Sequence, residues 1–196
     1  MPRKARIDAP GALHHIIARG IARRKVFDDN DDLDFFVDRL VLILTDTNTQ
    51  CFAWALIPDH FHLLLKTGTT PIATVMKRLL TSYAMHYNRR HKRHGHLFQN
   101  RYKSILCQED AYLLELVRYI HLNLLRAKQV EDMNGLDNYL YGDTVHLWAK
   151  RRQRGRIRDT YSGCLTTRFR LLGASTELLW RRVSPRVRGQ SLLEVD

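Results

Sequence analysis

The sequence predicts an α+β chain: a ferredoxin-like antiparallel sheet with helices on one face, a tyrosine-bearing helix, and a basic C-terminal extension. Three observations predict it. Segments of strand and helix periodicity follow one another in the order strand, helix, strand, strand, helix, strand, helix, and the first six form the ferredoxin-like order. The two middle strands are separated only by Pro58-Asp59, a break short enough for an antiparallel pair. Positive charge is concentrated after residue 149: residues 150–196 carry 12 Lys and Arg against 4 Asp and Glu, whereas residues 1–149 carry 20 against 16.

Each element has a local cause. Residues 1–11 are a basic lead ending in Asp8-Ala9-Pro10-Gly11, which is turn chemistry. Residues 12–19 (ALHHIIAR) follow as a short strand. The acids between Asp28 and Asp32 precede the apolar run Leu33 to Leu44. Acids suit the positive end of a helix, which places one near 30–46. Residues 50–57 (QCFAWALI) and 60–67 (HFHLLLKT) read as the paired strands. Pro71 stands at a helix start, and Ile72, Val75, Met76, Leu79, Leu80 and Tyr83 form one stripe of a helix reaching about residue 91. A strand is expected around 97–106. Gln108-Glu109-Asp110 opens a last helix running to about 127, which must lie over the sheet.

The organisation follows: residues 1–127 as the domain carrying the chemistry, 128–149 as a connecting segment packed on it, and 150–196 as an arginine-rich extension. In the extension, residues 150–158 read as a phosphate-binding arm and residues 171–180 hint at a small helical piece. Hydrophobic residues make up 44% of the 196, so the bulk is globular. A net charge of +12 points to a polyanionic partner, nucleic acid before lipid. Cys51, Cys107 and Cys164 are odd in number and lack CxxC spacing, which predicts reduced thiols rather than a disulfide framework or a cysteine zinc site. No apolar run approaches the roughly 20 residues of a membrane span, and Met1-Pro2-Arg3-Lys4 has no apolar run behind it as a signal peptide would. A cytoplasmic, nucleoid-associated protein is expected.

His60 and His62 are two apart on a strand, so both imidazoles point to one side while Phe61, Leu63 and Leu65 point to the other. Two imidazoles on an open sheet face suit one divalent ion; taken alone, the pair equally fits two hydrogen-bonded strand histidines. On the last helix Tyr119 and Asn123 are four apart and share a face. If that helix crosses the histidine face, two imidazoles and one amide oxygen can hold a metal beside a phenol. Such a set suits attack on a phosphodiester: a divalent ion offsets charge on a phosphoryl oxygen, and the phenol is a nucleophile once deprotonated or aligned. Mg2+ or Mn2+ fits, two imidazoles leaning toward Mn2+.

These motifs carry a resemblance. Ile57-Pro58-Asp59-His60-Phe61-His62-Leu63-Leu64-Leu65 resembles the His, bulky apolar, His motif of single-tyrosine HUH transposases. Tyr119-Ile120-His121-Leu122-Asn123 resembles their tyrosine helix. Gly95 to Ser104, and Pro10-Gly11 leading to His14-His15 and Arg19-Gly20, are similar to segments of the REP-associated tyrosine transposase branch of the IS200-like transposases. The resemblance covers about residues 1–145. It implies metal ligation by His60, His62 and Asn123 and a covalent 5′-phosphotyrosine on Tyr119. It further implies single-stranded DNA substrates with hairpin or palindromic repeats, and a homodimer. The insertion-sequence branch usually has Gln where Asn123 stands, one methylene longer. Leu124 and Lys128 stand where relatives usually have Pro and Gly, and both changes predict a helix prolonged at its C-terminal end.

Arg89, Arg90, Lys92 and Arg93, flanked by Tyr87, Phe98 and Tyr102, suit backbone contacts with base stacking. Arg89, Arg90, Arg93, Arg101, Lys103 and Arg19 are the candidate DNA-binding residues. His14 and His15 cannot both face the core, and one is a candidate to lie near the site; the plain reading is a hydrogen-bonded strand histidine. A transposase, or nicking and joining enzyme, is the leading reading. The alternatives are a catalytically inactive nucleic-acid-binding protein of the same fold, and a metal-dependent phosphodiesterase that uses water with Tyr119 only structural.

Overall fold

A computed structural model describes residues 9–107, 109–132, 135, 136, 139 and 141. The elements are β1 (Leu13–Arg19), α1 (Asn30–Asp46), β2 (Gln50–Ile57), β3 (His60–Lys66), α2 (Ile72–Arg90), β4 (Lys103–Cys107) and α3 (Glu109–Arg126), with a short 3-10 turn at Ile21–Arg23 after β1. The sheet order is β2-β3-β1-β4 and every neighbouring pair is antiparallel. This is the expected ferredoxin-like sheet. The basic lead up to Asp8 and the extension 150–196, with its arm and helical piece, lie outside the described residues, as does most of 128–149 beyond residue 132.

Strand alternation divides the core in two. On one face Ile16 and Ala18 of β1, Trp54 and Leu56 of β2, and Phe61, Leu63 and Leu65 of β3 are buried against α1 and α2. Those helices supply Phe36, Leu40, Leu44, Val75, Leu79 and Tyr83. The Tyr83 hydroxyl, deep in this layer, donates to the Val26 carbonyl. On the other face Leu13, Ala53, Ala55, Ile57 and Leu64 meet Val117, Ile120 and Leu124 of α3. A bulge between Cys51 and Ala53 lets Phe52 join this second layer as well. Burial of a leucine-sized side chain contributes about 1.5–3 kcal/mol, so three such residues suffice to hold α3 on the sheet.

The last strand is shorter than expected. From Leu97 to Tyr102 the chain is not a strand: Phe98 makes one isolated bridge to Gly20, and the Gln99 amide donates to the Arg19 carbonyl at 2.9 Å. The ladder starts only at Lys103, opposite Ile17. Leu97 is buried all the same. Its apolar character reflects loop packing at the end of β1 rather than a strand period.

The two outer strands differ. β2 is nearly all buried, and residues 139 and 141 lie along it: the Leu56 amide donates to the Tyr141 carbonyl at 2.9 Å and the Tyr139 hydroxyl to the Leu56 carbonyl at 3.3 Å. β4 leaves Ile105 and Leu106 exposed.

All three helices end alike. In each, a residue past the last turn enters the left-handed region: Asn48, Lys92 and Lys128, with φ of 49°, 51° and 53°. At α3 the Gln129 amide donates to the Leu124 carbonyl at 2.9 Å and the Lys128 amide to the Leu125 carbonyl at 3.0 Å, the paired bonds of a Schellman motif. The helix is therefore not prolonged, contrary to the expectation from Leu124 and Lys128. Lys128 adopts the conformation that glycine takes without penalty, because closing the end of α3 satisfies two carbonyls. A non-glycine residue there costs about 1–2 kcal/mol. Lys128→Gly is expected to stabilise the domain by about 1 kcal/mol after the extra chain entropy of glycine is counted, read as a higher urea midpoint at unchanged slope.

Candidate active site

The turn between β2 and β3 is held by the loop that follows β1. The Pro58 carbonyl accepts from the amides of Val26 at 2.6 Å and Phe27 at 3.1 Å, and the Asp59 carbonyl accepts from the Gly20 amide at 2.8 Å. Gly20 is required by proximity: a Cβ there would lie 2.1 Å from the Arg24 carbonyl oxygen. This grip sets where β3 begins, and so where His60 and His62 sit.

Both histidines face α3, as alternation predicts. Each uses Nδ1 in a hydrogen bond. His60 Nδ1 lies 2.6 Å from an Asp59 carboxylate oxygen, and His62 Nδ1 lies 3.0 Å from Nε2 of His15 on β1. The His60 and His62 rings are 5.2 Å apart between centroids, and the His15 and His62 rings, also 5.2 Å apart, lie within 21° of parallel, edge to edge. α3 brings Tyr119 edge-on to His15 at 6.0 Å and to His62 at 6.3 Å. The Arg126 guanidinium lies 5.2 Å above the Tyr119 ring. Asn123, one turn after Tyr119, turns its amide nitrogen back to the Tyr119 carbonyl at 3.0 Å.

Burial sets the charge state of this cluster. Desolvation, with the charges of His15, His60 and Arg19 added to it, pushes His62 down to about 2. Desolvation, then Lys103, lowers His15 to about 4. Both imidazoles are neutral at pH 7, the state in which a histidine offers a lone pair to a cation. The donor chemistry therefore fits a divalent metal: with Nδ1 engaged on both His60 and His62, the remaining ring nitrogen of each is Nε2.

Two positive side chains act on the cluster, Arg19 on His62 and Lys103 on His15. Arg19 is exposed and stands opposite His60 in the β1–β3 register. Lys103 is exposed and opposite Ile17 in the β1–β4 register. Arg89 and Arg101 are exposed, and Arg93 packs over the Tyr87 ring at 5.5 Å. Arg90 is engaged within the fold. Its guanidinium makes a two-pronged pair with Asp29 at 2.8 and 2.7 Å, and reaches Asp32 at 2.7 Å and Asp31 at 3.1 Å. Its hydrogen bonds hold the Asp29 carboxyl down at about 2. Among the described residues Asp28, Asp32 and His91 form the one trio of acidic and imidazole groups with ligand-type atoms within 4.8 Å of each other. Of these, Asp32 already holds Arg90 while Asp28 accepts from the Tyr87 hydroxyl, and the cluster ties the start of α1 to the end of α2.

Beside His60, His62 and Tyr119, Asp59 and Arg126 escaped the sequence reading in this role, and His15 is the one of the pair His14 and His15 that lies near the site. Parity alone puts His15 on one of two faces, and only its register against β3 shows which. Asp59 reads as a turn residue. Arg126 lies seven residues after Tyr119, two helical turns, a spacing that was available. Cys51 and Cys107 are free thiols, burial pushing Cys51 up to about 12, and Cys164 lies outside the described residues. No helix among the described residues is long and apolar enough to cross a membrane.

On the sheet face covered by α3, the strand histidines His15 and His62 are met edge-on by the helix tyrosine Tyr119. The family model described as "Transposase IS200 like" matches residues 10–123, more than half of the chain. The chain belongs to the IS200-like transposase family, and with it to the enzymes that process DNA in transposition. Among solved structures, one described as a REP-associated tyrosine transposase bound to a REP hairpin is similar at 13% identity and a TM-score of 0.59, over 85% of this chain and 94% of that one. It shares the fold. A crystal structure described as a candidate transposase from Deinococcus radiodurans R1 is similar at 23% identity and a TM-score of 0.42, over 61% of this chain and 95% of that one. No curated protein matches the chain.

The buried neutral histidines make folding pH-dependent. His15 has a folded value below its ordinary 6.5, so the unfolded chain binds more protons between the two. The stability due to its neutrality is fully present above about pH 6.5 and is lost progressively as pH falls toward about 4. Without added metal, the melting temperature is expected to drop between pH 7 and pH 5, and to drop less in His15→Phe.

Proposed function

We propose that this chain cuts and rejoins single-stranded DNA through a covalent 5′-phosphotyrosine on Tyr119, with Mg2+ or Mn2+ held by His60 and His62 and by Asn123 as third ligand. The observation that carries the reading is the placement of the Tyr119 ring edge-on to His62, at 6.3 Å, on a sheet face where both motif histidines have Nδ1 already engaged. The ion, when bound, supplies positive charge to a non-bridging phosphate oxygen.

The chain's own groups do the rest. Tyr119 Oη attacks phosphorus and the bond from phosphorus to the 3′ oxygen breaks. The phenol gives up its proton and the departing 3′ oxygen takes one up. Another 3′ hydroxyl reverses the step, so the strand is rejoined without a nucleotide cofactor. Arg19, Lys103 and Arg126 flank the cluster and suit the phosphates on either side of the scissile one. Arg89, Arg93 and Arg101 extend the positive surface over the loop before β4, whereas Tyr87 and Tyr102 are buried there and leave phosphate contact rather than base stacking to this loop. Arg90 serves indirectly, by fixing the root of that loop. That the similar solved chain is bound to a REP hairpin supports a hairpin substrate and a place in the REP-associated branch.

The test mixes the full chain with a labelled single-stranded hairpin and Mn2+ and resolves the products on a denaturing gel. A protein–DNA adduct is expected, absent in Tyr119→Phe. Cleavage that survives Tyr119→Phe would show that water is the nucleophile. Binding without cleavage by the parent chain would show a non-catalytic binder. His60→Ala is expected to cut cleavage by at least about 100-fold while retaining most hairpin affinity in a filter-binding assay.

A further inference from the structure

We propose that Asp59 and His15 are positioning residues that act through His60 and His62, each by accepting a hydrogen bond from the Nδ1–H of its partner so that Nε2 is the ligand atom. The proposal rests on the metal reading of His60 and His62 given above and deepens it. A neutral imidazole carries one proton, and the hydrogen bond made by one ring nitrogen decides which nitrogen keeps its lone pair. Asp59 has no proton to donate when ionised, so at 2.6 Å from His60 Nδ1 it can only accept. The proton is thus on His60 Nδ1 and the lone pair on Nε2.

The His15–His62 contact at 3.0 Å is between two imidazole nitrogens, so one donates and the other accepts. If His62 presents Nε2 as His60 does, its Nδ1 donates and His15 accepts with Nε2, carrying its own proton on Nδ1. The contact is sheltered: His15 is 4% exposed and His62 4% exposed. Water therefore cannot readily replace the bond, and the two rings lie within 21° of parallel with centroids 5.2 Å apart, meeting edge to edge along it. The same His15 ring lies edge-on to Tyr119 at 6.0 Å, so one side chain touches both a proposed ligand and the proposed nucleophile.

The two partners are unequal in origin and in kind. Asp59 is the neighbour of His60 in sequence and part exposed. His15 is 47 residues from His62, neutral and buried. Removing the outer partner of a ligating histidine costs roughly 10- to 100-fold in metal affinity.

The experiment titrates the full chain with Mn2+ alone, no DNA present, and reads free Mn2+ by its electron paramagnetic resonance signal. Asp59→Ala and His15→Phe are expected to weaken binding roughly 10- to 100-fold. Asp59→Asn and His15→Gln, whose amide oxygens still accept a hydrogen bond, are expected to keep most of the affinity. His15→Phe preserves a ring of similar size, so a packing role alone would leave Mn2+ affinity unchanged; if that variant does not fold, Asp59→Ala at its part-exposed turn decides. Binding by Asp59→Ala and His15→Phe equal to the parent, while His60→Ala and His62→Ala lose it, would overturn the proposal and leave the metal reading standing. Mn2+ uptake unchanged in His60→Ala and His62→Ala would overturn both.

Discussion

Antiparallel pairing of β1 with β3 is the constraint on which the rest depends. With Arg19 opposite His60 and Ile17 opposite His62, alternation places Arg19, His15, His60 and His62 on one face. A slip of one residue would turn His15 and Arg19 into the layer beneath α1 and α2 and bring Ile16 and Ala18 out of it. The apolar side chains therefore enforce the register on behalf of the polar ones. Ile16, Phe61 and Leu63 are fully buried, and the cost of exposing them greatly exceeds that of breaking any single polar contact in the site.

The other constraints support that pairing from outside. Gly20, the Pro58 and Asp59 carbonyls and the amides of Val26 and Phe27 lock the turn that starts β3. The Arg90 clasp joins the beginning of α1 to the end of α2, so the loop that follows α2 leaves from a fixed point. α3 then needs only its apolar stripe to lie across the opposite face, and Tyr119 and Arg126 come with it. His15 and His62 sit where the sheet is dry enough to keep them neutral, with Arg19 and Lys103 exposed beside them. That combination suits binding of a cation next to a polyanion.

Much of this was legible beforehand. Helix and strand identities followed from period, and six of seven elements lie within a residue or two of their expected bounds. The exception, the strand around 97–106, failed because Leu97 and Phe98 carry apolar character for loop packing at Gly20, which looks the same in sequence as a strand start. The prolonged α3 failed for a related reason. Local propensity favours continuing the helix at Leu124 and Lys128, but satisfying the carbonyls of Leu124 and Leu125 outweighs a left-handed lysine. The role of Arg90 was hidden because a guanidinium in a basic cluster reads as free until its carboxylates, about 60 residues away, are brought beside it.

What the sequence by itself determined is whatever depends on short spacing: that His60 and His62 share a face, that Tyr119 and Asn123 share a helix side, that Phe61 and Leu63 belong to a core, and that the strongest positive charge follows residue 149. These hold in any fold with those elements, because backbone geometry imposes periods of two and about 3.6. Tertiary structure alone decided that α3 crosses the histidine face, that His15 rather than His14 joins His62, that Asp59 turns toward His60, and that Arg126 covers Tyr119. Each of these joins residues on different elements or depends on a turn's orientation. The choice among alternatives was made by which apolar faces the sheet and helices bury together, a property of the whole core that no local window contains.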